Sequence, residues 1–159
     1  MQQGHSDSTE GGFYRASIQR NYDPSLPEVQ GSKDQLIQAI LNIARNACQA
    51  LQQTERARIV FKTRVVRQFT IGSVRHKQIM HLSITDNGPG IPEDLIDRIF
   101  FPMISGRSEG SGLGLSISQN IVGQHGGTLQ VASRPGNTTF SVYLPFSGLN
   151  QLSESREII

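Results

Sequence analysis

The spacing of apolar residues changes several times along the chain, and each change marks an element. Residues 14–22 alternate through Tyr14, Ala16 and Ile18 to Arg20, a strand closed by the turn signals Asp23-Pro24 and Pro27. From Ser32 to Gln53 the spacing becomes three and four, with Leu36, Ile40, Ile43, Ala47 and Leu51 on one side. That is an amphipathic helix which Ser32 or Asp34 can cap. Residues 58–67 and 78–85 alternate again, with Ile59, Phe61, Thr63 and Val65, then Met80, Leu82 and Ile84, as inward positions. They predict a hairpin joined across a long loop containing Gly72 and Ser73. A short helix follows Pro92 over 93–100, and 101–111 is irregular and rich in Gly and Ser. A helix over about 112–124 stops at Gly126-Gly127, and strands over 128–133 and 138–146 flank Arg134-Pro135-Gly136-Asn137. The order predicts an α+β fold: a two-layer α/β sandwich with a mixed, mostly antiparallel sheet and helices on one face. The helices are too few to cover both faces of a doubly wound sheet.

Composition changes this picture little. An apolar fraction of 36% and a charged fraction of 18% over 159 residues describe one ordinary globular domain. Residues 1–12 are polar and without period, which predicts a flexible linker; 13–147 form the domain, and 148–159 a frayed tail. No apolar run is long enough for a membrane helix, and no signal peptide is evident. The single cysteine, Cys48, cannot form an internal disulfide, which points to a reducing, cytoplasmic setting. Basic residues exceed acidic ones by only 15 − 13 = 2. Arg56, Arg58, Lys62, Arg64 and Arg67 alternate along a strand rather than clustering with aromatic platforms, which argues against nucleic-acid binding.

Three features carry chemistry, and each has an ordinary structural explanation. In Asp86-Asn87-Gly88-Pro89-Gly90-Ile91 a carboxylate leaves an apolar strand. It accepts hydrogen bonds only and suits a donor such as an exocyclic amine, while Gly88 and Gly90 permit close approach. A tight turn with an Asx cap fits as well. In Gly110-Ser111-Gly112-Leu113-Gly114-Leu115 a glycine-rich loop enters a helix, so that unobstructed backbone amides can hold phosphate. A hinge is the alternative. Asn42 and Asn46 lie one turn apart, with Gln49 and Gln53 continuing the stripe. Neutral amide oxygens are hard ligands suited to Mg²⁺, but a solvated polar stripe looks the same.

Taken in order and joined by Ile99-Phe100-Phe101-Pro102-Met103, these motifs resemble the N, G1, F and G2 boxes of the histidine-kinase ATPase superfamily. The resemblance runs from Tyr14 to Phe146, and Gly136-Asn137-Thr138-Thr139-Phe140-Ser141-Val142-Tyr143-Leu144-Pro145 is similar to that family's last strand. It implies a Bergerat-type fold binding ATP and Mg²⁺. Asp86 would bind adenine, Asn46 the metal, and Asn42 would lie beside the phosphates. Gly88, Gly90 and Ile91 would shape the adenine loop. Gly110, Gly112, Leu113, Gly114 and Leu115 would cradle the phosphates, and Thr139 would support the adenine end. Residues 101–111 would form an ATP lid, with Arg107 a candidate γ-phosphate contact.

Arg20-Asn21-Tyr22-Asp23-Pro24-Ser25-Leu26-Pro27-Glu28 and Phe101-Pro102-Met103-Ile104-Ser105-Gly106-Arg107 further resemble the nitrogen-regulation sensor kinases. That resemblance implies three partners: a dimerisation domain carrying the phosphoacceptor histidine, a response regulator, and the nitrogen regulatory PII protein. Gln49 stands where relatives often have Lys, and Met103 where they have Phe. Hydrolytic relatives place a general-base Glu four residues before the metal-binding Asn. Here that residue is Asn42, whose amide cannot accept a proton, so transfer is favoured over hydrolysis. His5, His76, His81 and His125 all lack the His-Glu-x-x-Asn-Pro setting of a phosphoacceptor. The expectation is a monomeric catalytic fragment of a kinase. A degenerate docking module is the competing class, against which the intact Asp86, glycines and Asn46 argue.

Overall fold

The computed structural model describes residues 16–102 and 114–146. Its elements run β1 (Ser17–Asn21), α1 (Lys33–Ala50), β2 (Arg58–Ile71), β3 (Val74–Asp86), α2 (Glu93–Ile96), α3 (Gly114–Gln124), β4 (Thr128–Arg134) and β5 (Asn137–Pro145). The strands form one sheet in the order β1-β2-β3-β5-β4. β1 and β2 are parallel, and α1 supplies the crossover such a pair needs. All other pairs are antiparallel. The expected mixed, mostly antiparallel sheet is therefore present.

Ser32 is the N-cap of α1, its hydroxyl accepting from Gln35 N at 3.4 Å. The three-and-four spacing buries Ile43, Ala47 and Leu51 against Ile59 of β2, Leu82 and Ile84 of β3, and Phe140, Val142 and Leu144 of β5. α3 adds Ile121 and Val122 to the same core. Small residues on α1 let α3 lie close, and buried Ser118 pins the two helices by donating to Ala39 O at 2.8 Å. Removing a ring such as fully buried Phe140 would cost about 3–5 kcal/mol.

The β2–β3 connection differs from the expected long loop. Pairing continues to Ile71 and Val74, leaving a two-residue turn of Gly72 and Ser73 with Gly72 at φ 60°. Alternation fails as a signal here because Gln68 adopts φ 55° and drops out of the pairing, whose register passes from Arg67 and Gln78 to Phe69 and His76. Phe69 of this outer part instead meets the face of the sheet opposite the helices. Phe69 stacks on Tyr143 at 4.3 Å, and Tyr143 stacks on His81 at 4.5 Å. His76, expected in a loop, is consequently a buried strand residue. α2 is shorter than expected, ending at Ile96; beyond it the chain tightens into three-residue turns, Arg98 N donating to Leu95 O and Phe101 N to Arg98 O, and Ile99 and Phe100 pack on the core. Phe100 meets Phe140 edge-on at 6.5 Å.

Candidate nucleotide site

β3 ends at Asp86, and the strand register builds a polar row around it. Asp86 pairs with Ile59 on one side and Thr138 on the other, and Thr138 pairs with Ser133. Directly paired residues point to the same face, so Ser133, Thr138 and Asp86 share the face that carries the helices. Asp86 is 2% exposed and Thr138 3%. A carboxylate at such depth requires donors. Gly88 N supplies one to Asp86 Oδ1 at 2.9 Å.

The loop after Asp86 is tied to three other segments. Gly88 O accepts from Gly136 N at 2.9 Å, which links the loop to the β4–β5 turn. Ile91 N donates to Ser133 Oγ at 2.8 Å, and Ser133 Oγ lies 2.7 Å from Thr138 Oγ1. Asn87 fastens the loop to the start of β2: its Oδ1 accepts from Arg58 N at 2.7 Å, and its Nδ2 donates to Arg56 O at 3.0 Å. The two glycines are spatial requirements. A Cβ on Gly88 would sit 2.9 Å from Asp86 Oδ1 and 3.2 Å from Ala50 O, and Gly90 has φ 90° with Arg134 O 2.9 Å from any added Cβ. Beneath this loop, Cys48 of α1 has its thiol pKa pushed up by burial and by the charge of Asp86.

The second wall comes from α1 and α3. Asn42 and Asn46 lie one turn apart on α1, both half-buried. Asn42 Nδ2 is buried with no hydrogen-bond partner among the described residues. Stranding an amide donor costs about 1–3 kcal/mol, so its position fits an acceptor that arrives with a ligand. Gly114, the first residue of α3, faces it: a Cβ there would lie 3.7 Å from Asn42 Cβ. The first amides of an 11-residue helix thus open beside an unpaired donor, an arrangement suited to an anion. A buried acceptor at one end and donors at the other suit a nucleotide, whose base offers an amine and whose phosphates offer oxygens.

The structure brings Gly88 against Asp86, ties Ile91 to Ser133 of the same polar row, and sets Gly114 against Asn42; Gly90 lies against Arg134, Asn46 one turn from Asn42 on α1, and Leu115 next after Gly114 on α3. Arg107, Gly110, Gly112 and Leu113 lie outside the described residues, as do 1–12 and 148–159. Thr139 is placed differently from the expectation. It pairs with Thr85 on the opposite face of the sheet, their hydroxyl oxygens 2.9 Å apart, and it donates to Asn137 Oδ1 at 3.4 Å. Thr138 takes the position beside Asp86. Alternation contained that signal, because Phe140 is the core residue of β5 and Thr138 is two positions from it. Asn87 and Ser133 were missed because their bonds join residues 29 and 42 positions apart in the chain.

Among the histidines, His81 has its pKa lowered by burial and then by Lys62, and its Nε2 has no partner among the described residues. His125 is bonded on both nitrogens: Nε2 accepts from Ser32 N at 3.1 Å, and Nδ1 lies 2.7 Å from Ile121 O. It locks the end of α3 to the cap of α1. Neither histidine is placed for phosphoryl transfer within the site just described.

A family model described as "Histidine kinase-, DNA gyrase B-, and HSP90-like ATPase" matches residues 31–148. The sensory histidine kinase/phosphatase NtrB of Vibrio alginolyticus is 54% identical over 128 residues, covering 80% of this chain and 37% of that protein. NtrB of Escherichia coli O157:H7 is 50% identical over 126 residues, covering 79% and 36%. The chain therefore spans little more than a third of the length of these relatives. Among solved structures, the mycobacterial sensor histidine kinase MprB superposes with a TM-score of 0.68 at 26% identity, covering 85% of this chain and 86% of that one. ShkA in complex with AMPPNP superposes at 0.67 with 25% identity, covering 84% of this chain and 26% of that one. No helix among the described residues is long and apolar enough to cross a membrane. The matched region contains the Asp86 row, both asparagines and the start of α3, and the chain belongs to the histidine kinase-, DNA gyrase B- and HSP90-like ATPase family as a histidine-kinase catalytic domain homologous to NtrB.

Proposed function

We propose that this chain binds ATP–Mg²⁺ and donates the γ-phosphoryl group to a histidine on a separate dimerisation domain of a cytoplasmic nitrogen-regulation sensor kinase. That kinase then phosphorylates a response regulator, and the PII protein docks on it to restrain the activity. Buried Asp86, held between Gly88 N and the Thr138–Ser133 row, is the observation that carries the reading. Its acceptor-only carboxylate selects the 6-amino group of adenine. Asn42 gives its stranded amide to the phosphates, and the first amides of α3 from Gly114 and Leu115 face the same charge. In the family pattern Gly110, Gly112 and Leu113 extend that cradle, and Arg107 reaches the γ-phosphate.

Asn46 offers a hard amide oxygen suited to Mg²⁺, which neutralises phosphate charge when bound. The residues of this chain position and shield the phosphates, which is most of what phosphoryl transfer asks of a protein. An imidazole nitrogen of the separate domain takes the γ-phosphoryl group and ADP leaves. Asn42 occupies the place of a general base and cannot accept a proton, so water is poorly served. The test is to mix the chain with labelled ATP and a separately purified dimerisation domain. Label is expected on the added domain and not on the chain; label on the chain's own histidines, or steady phosphate release without transfer, would contradict the proposal.

A further inference from the structure

We infer that Ser133 is a positioning residue for nucleobase recognition, setting the direction of the Thr138 hydroxyl beside Asp86. The inference rests on the adenine reading of Asp86 given above. A serine hydroxyl has one proton and two acceptor positions. One acceptor position of Ser133 is filled from Ile91 N, which can only donate, at 2.8 Å. Thr138 Oγ1 lies 2.7 Å away, and no third partner of Ser133 is present among the described residues. If Thr138 donated to Ser133, the Ser133 proton would be stranded in a half-buried site, at a cost of about tenfold in any equilibrium that depends on it. The arrangement that leaves no proton unused runs Ile91 N–H to Ser133 Oγ, then Ser133 O–H to Thr138 Oγ1.

That direction keeps the Thr138 proton out of the Ser133 bond, so that an acceptor on a base seated against the next position in the row, where Asp86 stands, can take it. Thr138 and Asp86 are both buried on the same face, so a hydroxyl donor lies beside a carboxylate acceptor. The edge of adenine presents a donor, its 6-amino group, next to an acceptor, N1. Hypoxanthine presents the reverse order, an oxygen at position 6 beside an N1–H. A row polarised by Ser133 therefore matches adenine and mismatches hypoxanthine at both positions. Ser133 need not touch the base. It acts through Thr138 and through the loop carrying Ile91.

The test is calorimetry of ATP and ITP, each with Mg²⁺, on the whole chain and on four variants. Ser133→Ala is expected to weaken ATP about tenfold while leaving ITP nearly unchanged, so that the preference for ATP narrows. Ser133→Thr and Ser133→Val differ from each other by a single hydroxyl on a strand that accepts branched side chains. The first should keep the ATP preference and the second lose it, and this pair decides the question if the alanine variant melts early. Equal weakening of both nucleotides would mean that Ser133 only braces the loop, and an unchanged ratio would overturn the inference outright. Asp86→Ala, run in parallel, separates the levels. Loss of ATP there with no effect at Ser133 sinks only the relay; retention of ATP there sinks the adenine reading and the relay with it.

Discussion

Gly90→Ala should destabilise the chain by about twice as much as Gly136→Ala, although the two backbones are nearly alike. Gly90 has φ 90° and Gly136 has φ 84°, so an alanine at either suffers the left-handed penalty of about 1–2 kcal/mol. The surroundings differ. A Cβ at Gly136 would meet nothing within 4 Å, whereas one at Gly90 would lie 2.9 Å from Arg134 O and 3.0 Å from Arg134 C. Those are backbone atoms of β4 and cannot swing aside. Relief requires the Asp86 loop to part from the β4–β5 turn, which strains the Gly136 N to Gly88 O and Ile91 N to Ser133 Oγ bonds. At about 1 kcal/mol for each of the two bonds, the Gly90 variant should lose about 3–4 kcal/mol in all. Urea titration of both variants measures the difference directly, and only Gly90→Ala should also weaken nucleotide binding. Equal losses would refute the claim that the loop is wedged against β4.

Three further outcomes follow from the site and its supports. Asn42→Ala removes a stranded donor and introduces a better helix former, so the nucleotide-free chain should gain about 1 kcal/mol in urea titration while ATP affinity falls. A loss of stability would show that the amide is satisfied without ligand. His81 is held neutral in the fold, whereas the unfolded chain takes up a proton below its ordinary pKa of about 6.5. The corresponding stability is present above that pH and is lost as pH falls through the lowered folded value. His81→Phe, which keeps a ring against Tyr143, should flatten the slope of melting temperature between about pH 7.5 and 5; an unchanged slope would assign it elsewhere. His125→Ala removes the bond from Ser32 N that ties the end of α3 to the cap of α1, together with the bond back to Ile121 O of α3, and should cost about 1–2 kcal/mol in the same titration.

The fold was largely legible because most of its elements have one buried face. Ile59, Leu82 and Ile84 alternate, and Ile43, Ala47 and Leu51 recur at helical spacing, since each must reach the same core. The outer hairpin was illegible for the converse reason. Gln68, at positive φ, drops out of the pairing, and Phe69 beyond it stacks on Tyr143 of the opposite face, so the alternation of the rest of β2 does not carry through. At the site, Asp86, the glycines and the two asparagines stood out because their chemistry is local to short motifs. The row that holds Asp86 did not stand out, since it is assembled by register across three strands. A one-residue shift separates Thr138 from Thr139, and in a strand that moves a side chain to the other face. The Asn87 staple and the His125 lock join segments 29 and 93 positions apart, beyond anything a local pattern encodes.

The central claim is that buried Asp86 reads the base of a bound ATP. Calorimetric titration of ATP–Mg²⁺ into the chain and into Asp86→Asn tests it most directly. Replacing the carboxylate turns one of its two acceptor atoms into a donor and removes a charge-assisted bond, a loss of about 2–3 kcal/mol. The account predicts clear binding by the chain and an affinity about 30- to 150-fold weaker in the variant. Equal affinities, or no heat of binding with the chain itself, would contradict it.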